Sequence, residues 1–576
     1  GNSIVTANPT NPTAGPTTTV PTGTAATTTA PTGTAATTTA PTGTAATTTA
    51  PTGTAAVTTK PTSQPLPNTI LASSIRIEDV MHHLDDLQII ATNADGNRAI
   101  HTRGFNETLD YIYNVLKLNT NYNITQSFFP VRDSTLASNP VLLISINDAI
   151  QNYTYSTNLA IADFTVARFS TSLDLTDYVA ITVIPNLGCD DTDWENNNMS
   201  VAGQVALVKR GNCTFVKKAQ QASKYNVTAL FIYNDGAPGN VRPMSISVGE
   251  ANEIPVLSLS YTLGQELADA VQDPANNVTA LININLLNDK PLPVGNICAD
   301  TPSGDPAQTI VIGSHSDSVP AGPGINDNGS GSAANLGLAI ALARLFQTPN
   351  YPEYKYRIRF CWWGAEEVGL LGSNFHVRQA KNATTVGERL QDYLINLNYD
   401  MLGSPNYIFG IYDGQTANND TPSEARPGSD KITALFRDWF DTQKLPWNNT
   451  DFSGRSDYGP FLAEGIVAGG LFTGGDDVKD QQTRDYMDQM LGQGMGGIAG
   501  ADYDPCYHKA CDSIQNINEF AFEKMMQAAA YALESLARQD NLTQWLYPNG
   551  RSTRSNNESP QRKYDSINEY FGMPYL

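Results

Sequence analysis

Past residue 74 the apolar and polar positions settle into recurring units of strand, polar loop and helix. Ile77, Val80, Leu84, Leu87 and Ala91 fall on one face of a helix, with Ser74 as its candidate N-cap. Leu109, Ile112 and Val115-Leu116 mark a second amphipathic helix over 105–116, and PVLLISI at 140–146 reads as a strand. From about 165 to 288 strands dominate, with turns every ten residues or so: 178–185, 205–209 and 228–233, plus a helix near 214–225. After 290 the α/β rhythm returns. Ile310-Val311-Ile312 is a buried strand followed by a helix over 331–346. The run 354–363 is a strand followed by a helix opening near 369–373. The run 393–399 is a strand ending at Asp400, and 520–536 is a closing amphipathic helix.

These patterns predict an α/β protein: a mixed central sheet with helices on both faces, plus an inserted β-rich domain. The expected domains are a low-complexity stalk at 1–66, a discontinuous main body at 67–164 and 289–546, the insert at 165–288, and a polar tail at 547–576. In the stalk PTGTAATTTA recurs at 21–30, 31–40 and 41–50. A Thr/Ala/Pro repeat cannot bury a core; its composition suits either an O-glycosylated spacer or a tail without specific role.

Charge and length narrow the partners. The chain has 576 residues and a formal net charge of −22, which argues against nucleic acid and anionic membrane. No apolar run approaches the ~20 residues needed to span a bilayer. The first residue is Gly, so removal of a leader is expected. Asn-X-Ser/Thr sequons at Asn106, Asn123, Asn152, Asn198, Asn212, Asn226, Asn277, Asn382, Asn541 and Asn557, with an even cysteine count, point to the secretory route and disulfides. Cys506 and Cys511 are close enough to clip a small loop; Cys189, Cys213, Cys298 and Cys361 leave further pairings open.

The candidate chemistry sits where strands end. His315 and Asp317 follow the 309–313 strand, Asp327 lies in the Pro/Gly-rich loop before the 331–346 helix, Glu366-Glu367 follow the 354–363 strand, and Asp400 follows the 393–399 strand. His508 lies between Cys506 and Cys511. Each alone has a plainer reading: a lone His packs or caps, a Glu pair is usually a solvated surface pair, and an Asp often terminates a turn. Together His315, Asp327, Glu367, Asp400 and His508 form an imidazole and carboxylate donor set suited to zinc, or to cobalt or manganese. Five ligands exceed one tetrahedral site with an open position, so two ions sharing one carboxylate are expected. His82, His83, His101 and His376 are read as surface or packing residues.

HSDS, GPGINDNGSG, WWGAEEVGLLGS, NYDMLGS and PCYHKACD, in that order and spacing, resemble the co-catalytic dizinc aminopeptidases. The nearest type is the aminopeptidase Y or leucyl aminopeptidase kind, and the match spans about 74–545. The span VKRGNCTFVKKAQQASKYNVTALFIYNDG resembles the protease-associated domain that such enzymes carry as an insert. The resemblance implies the zinc-exopeptidase, phosphorylase/hydrolase-like fold and hydrolysis of N-terminal residues from peptides with two zinc ions per chain. It implies that Asp327 bridges both ions, that His315 and Asp400 complete one site, and that Glu367 and His508 complete the other. Glu366 is then the general base acting on a hydroxide held between the ions, Asp317 fixes the ring of His315, and Tyr507 steadies the oxyanion. A cis peptide after Asp327 belongs to the same pattern. Arg455 and Phe472 become substrate contacts, although Tyr458 stands where the family often has His. Cys506–Cys511 is read as a disulfide in preference to a thiolate ligand pair. Cys189–Cys213 bridges the insert, and Cys298–Cys361 is left by elimination. Asn328, formally in a sequon, is expected to be unmodified. The expected partners are peptide or protein N-termini, with no nucleic acid, no membrane span and a monomeric chain. The expected location is extracellular, with the vacuole or cell wall as alternatives. Two rivals remain at this stage: a carboxypeptidase or glutaminyl cyclase on the same scaffold, and a binding protein built on an inactive peptidase. Retention of all five ligands counts against the cyclase and the inactive binder.

Overall fold

The computed structural model describes residues 67–551, apart from 133–134, 157, 196–200, 238–239, 245, 250, 288–289 and 418–420. The stalk, nearly all of the C-terminal tail, Asn198 and Asn557 lie outside the described residues.

The catalytic body is built on an eight-stranded mixed sheet. Its order is Asn123–Val131, Leu292–Asp300, Tyr356–Trp363, Asp305–His315, Tyr393–Tyr399, Val467–Phe472, Gly410–Asp413 and Asn448–Asp451. The four strands from Tyr356–Trp363 to Val467–Phe472 run parallel, flanked by antiparallel pairings on each side. Tyr356–Trp363 and Tyr393–Tyr399 are buried at every position, as strands covered on both faces are, although Arg357, Arg359, Asn396 and Asn398 interrupt their apolar runs. Helix Gly331–Phe346 is also buried nearly all round, with Leu336, Leu338 and Leu342 in the core; each such side chain contributes roughly 1.5–3 kcal/mol by burial. At its first residue any Cβ would lie 2.2 Å from the main-chain oxygen of Tyr399, so only glycine lets this helix start against the neighbouring strand end.

Helices Ile77–Asn93 and Arg103–Asn119 bury the predicted faces. Ser74 is not the N-cap: it ends a short preceding helix, Ile70–Ser74, and its hydroxyl donates to the Leu71 carbonyl, while Arg76 occupies the cap position.

The second sheet has nine strands and contains the predicted 205–209 and 228–233 strands as Val205–Lys209 and Ala229–Tyr233. It begins earlier than the predicted 165. Val141–Ile146 pairs with Val278–Ile284 along its whole length, and Ala149–Asn152 adds the edge. The reason is long-range: a strand's sheet is set by its partner, which here lies more than 130 residues on. The chain enters and leaves this insert side by side, through the Leu136–Leu286 bridge. The body also extends beyond 547. Tyr547 is buried, its hydroxyl donates to the Leu394 carbonyl, and Arg551 donates to the carbonyls of Leu390 and Gln391.

All six cysteines pair: Cys189–Cys213, Cys298–Cys361 and Cys506–Cys511. Cys298 and Cys361 face each other across adjacent antiparallel strands, a relation that only the sheet register reveals. The sequon asparagines named above within the described residues are exposed, whereas Asn328 is fully buried.

Candidate metal centre

The parallel strands deliver their site residues to one edge of the sheet. His315 closes its strand, Asp400 follows Tyr399, and Glu366 and Glu367 sit in the turn after Trp363. The loop carrying Asp327 is tied down on both sides. The Asn328 side-chain oxygen accepts the amides of Gly331 and Met401, its amide donates to the Tyr399 carbonyl, and the Ser330 hydroxyl accepts the Leu402 amide. These contacts bring Asp327 to Asp400 although 73 residues separate them in the chain. The Asp327–Asn328 peptide is cis.

The predicted ligands converge. One carboxylate oxygen of Asp327 lies 3.3 Å from His315 Nε2, and the other lies 3.1 Å from His508 Nε2. Asp400 Oδ1 is 3.5 Å from His315 Nε2, and Glu367 Oε2 is 3.1 Å from His508 Nε2. Asp327 therefore points one oxygen at each of two neighbouring donor groups. Glu366 Oε2 stands 3.9 Å from His315 Nε2.

Asp317 is in place beside the His315 ring, its Oδ1 3.7 Å from Nδ1, and its carboxylate carries a second task. Its two oxygens accept the amides of Glu366 and Glu367 at 3.1 and 3.3 Å, while its main-chain oxygen, 3.2 Å from Nδ1, faces the His315 ring. The Tyr507 ring stacks on His508, and its hydroxyl lies 3.4 Å from the Arg455 guanidinium, which also pairs with Asp476. Arg455, Phe472 and Tyr507 line a cavity of about 550 Å³ that opens from the ligand cluster, with Met401, Ile408 and Tyr412 on its apolar side. Tyr458 is buried there, its hydroxyl accepting the Gly454 amide.

Buried acids dominate the electrostatics. Burial first, then the charges of Glu367 and Asp457, raise the proton affinity of Glu366 well above the usual carboxylate range, against the pull of His315. Burial and then Asp327 likewise raise Glu367. Burial works against protonation of His508, yet Glu367 and Asp327 overcome it and raise its pKa to about 11. Burial alone would raise Asp327, but hydrogen bonds from His315 and His508 hold it below the usual range. Such crowding has a natural counter-charge in divalent cations. Glu367 Oε1 and Asp400 Oδ1 are buried without a hydrogen-bond partner, so lone pairs are free toward the cluster. The donors are imidazole and carboxylate only, because both nearby cysteines are spent in a disulfide. The residues fit zinc.

Several supporting residues escaped the sequence reading. Arg98 is 0% exposed. Its guanidinium donates to the carbonyls of Pro323, Ser316 and Gly324 at 2.9, 2.5 and 2.6 Å, bracing the stretch between His315 and Asp327. Burial lowers its pKa only to about 10, so it remains a cation at neutral pH. Asp512 accepts the amides of Asn326 and Asp327, and Asp504 accepts from the side-chain amides of Asn326 and Asn516. Asn398 donates to Ser456, whose hydroxyl donates to Asp400. Asp504 and Asp512 lie beside and inside the quoted PCYHKACD motif and Ser456 is next to Arg455, so a signal existed; Arg98 had none. Arg98→Met leaves the buried carbonyls of Pro323 and Ser316 without a donor, at about 1–3 kcal/mol each, while the Gly324 carbonyl keeps the Gly329 amide. Urea unfolding of the metal-free protein should show a loss of ~2 kcal/mol or more, and a loss under ~1 kcal/mol would mean that the brace is dispensable.

Residues 296–533 match the model of peptidase family M28, and residues 175–267 match that of the PA domain. An aminopeptidase of Pseudomonas aeruginosa is 33% identical over 476 residues, covering 81% of this chain and 82% of that protein. Leucine aminopeptidase 2 of Trichophyton tonsurans is 33% identical over 473 residues, covering 81% and 86%. Among solved structures, the aminopeptidase from Aneurinibacillus sp. strain AM-1 superposes with a TM-score of 0.59 at 19% identity, over 81% of this chain and 95% of that one, a likeness of fold.

Proposed function

The chain belongs to peptidase family M28 and carries a PA domain, and from that premise we propose that it is a zinc aminopeptidase that removes N-terminal residues from peptides and acts outside the cell. The observation that carries the reading is Asp327, whose two carboxylate oxygens face His315 and His508 separately.

Two zinc ions fit this donor set. His315, Asp327 and Asp400 would hold one, and Asp327, Glu367 and His508 the other. When bound, zinc supplies Lewis acidity toward a peptide carbonyl and acidifies water. The remaining steps belong to the chain's own residues. Glu366, at the cavity wall beside the ligands, takes the proton of the attacking water and passes it to the departing amine. Tyr507, in the same wall, donates to the oxygen that gains charge at the attacked carbon. The carboxylates of Glu366 and Asp400 close the inner end of the cavity and favour a free α-ammonium there, which accounts for a cut at the first peptide bond only. Phe472, Met401 and Ile408 receive an apolar first side chain, and Arg455 faces the following residue or the product carboxylate.

Three features support the proposed location. No helix among the described residues is long and apolar enough to cross a membrane. Two disulfides close the body and a third the insert, and the sequon asparagines named above within the described residues are exposed apart from Asn328, features suited to the secretory route. A monomer suffices, because one chain supplies every residue named.

The test is hydrolysis of unblocked against N-acetylated aminoacyl-anilides, with and without a chelator. Release from the unblocked substrate alone, abolished by chelator and restored by zinc, is expected, with about two zinc ions per chain. Cleavage of the blocked substrate at a comparable rate, or zinc below about half an ion per chain, would overturn the reading.

A further inference from the structure

The turn bearing Glu366 and Glu367 is held on three sides. Asp317 takes both amides. The Glu366 carbonyl accepts from the amides of Gly369 and Leu370 at 2.7 and 2.9 Å. The Glu367 carbonyl accepts from a residue of the other sheet's domain: Arg168 Nη1, at 2.6 Å.

Arg168 is presented by a stiff piece of the insert. Its amide donates to the Ile246 carbonyl and its carbonyl accepts the Val248 amide, at 2.8 and 3.2 Å. On either side, the Ala167 amide donates to the Val256 carbonyl and the Ser170 hydroxyl accepts the Val256 amide. The body grips the same piece in return. Arg132, one residue past the body's edge strand, donates to the Asn252 carbonyl, and Asn252 donates to the Phe169 carbonyl. Phe169, Ile246 and Val248 share one apolar cluster with Val294, Ala365 and Leu371 of the body. A donor fixed in this way costs little entropy to engage, and outer partners of metal-holding residues tune affinity through orientation.

We propose that the insert completes the catalytic centre: Arg168 pins the main chain of Glu367 and thereby sets the affinity of the metal position that Glu367 shares with His508. The proposal rests on the zinc reading above, and it makes Arg168 a positioning residue that touches no substrate. It assigns the insert a part in the chemistry.

Arg168→Met and Arg168→Lys, made in the full chain, test it by two measurements. The first is hydrogen–deuterium exchange over 364–371 in the metal-free protein. The second is zinc uptake by chelator competition. Arg168→Met should speed exchange about tenfold in that turn, with the helix 331–346 unchanged. It should weaken one zinc equivalent about 10–100-fold and leave the other within about twofold. kcat should fall at limiting zinc and recover at saturating zinc, with KM steady, and Arg168→Lys should recover part of the lost affinity. Unchanged exchange and uptake would overturn the proposal. So would equal weakening of both equivalents with faster exchange throughout the body, the mark of a merely structural contact. A wild-type chain that takes up less than about half a zinc would sink the functional reading, one that takes up no second zinc would sink the metal half of this proposal, and in either case the exchange pattern would still decide whether the insert holds the turn.

Discussion

Glu366→Gln should bind zinc as the wild type does and lose about 10²–10⁴-fold in kcat, with KM little changed. The substitution keeps size and shape and removes only the capacity to take a proton. The fold does not lean on this side chain: the backbone amide of Glu366, not its carboxylate, is what Asp317 holds. The carboxylate is also a liability in the metal-free protein, since burial and the charges of Glu367 and Asp457 oppose its ionisation. A neutral amide relieves that opposition, so the metal-free variant should unfold no earlier than the wild type. Retained zinc, unimpaired stability and lost turnover form a signature that neither a ligand nor a core residue would produce. Turnover of an unblocked aminoacyl-anilide within about tenfold of wild type, at full zinc occupancy, would remove Glu366 from the proton-transfer role.

The features legible in the sequence share one property: they are local. The strand over 309–313 announces itself by its apolar run and His315 by its place at the end, and the structure joins both in one strand, Asp305–His315. The helix over 331–346 was readable from composition alone. What escaped was set by distant partners. Val141–Ile146 looked like part of the body because nothing within it names Val278–Ile284 as its neighbour. Arg98 carries no signal in the sequence because its acceptors are main-chain carbonyls, which have no residue identity to search for. Arg168 was hidden for the same reason, since it meets the carbonyl of Glu367 and not its side chain. Asp317 shows the middle case. Its place beside His315 is visible two residues away, and its carboxylate, 3.7 Å from that ring, also serves the Glu366-Glu367 turn about fifty residues on.

Asp327→Ala should release both zinc ions together, whereas His508→Ala should release one. Asp327 is the residue that offers an oxygen toward each histidine, so its removal subtracts a ligand from both positions at once. Its loss also undoes the electrostatic arrangement. Hydrogen bonds from both histidines hold its carboxylate ionised against burial, and without it His315 and His508 lose a common partner. The loop itself should survive. Asp512 grips the amides of Asn326 and Asp327, which alanine keeps, and Asn328 still ties the loop to Tyr399. The variant should therefore be folded, with unfolding midpoints close to the metal-free wild type, and inactive at any zinc concentration short of about a hundredfold excess over the wild-type requirement. Metal analysis after gel filtration separates the cases. Near zero zinc in Asp327→Ala against about one equivalent in His508→Ala is the expected pair, because a carboxylate shared between two positions couples their occupancy while a histidine serving one does not. One firmly held ion in Asp327→Ala would show that the two positions are independent and that Asp327 belongs to only one of them.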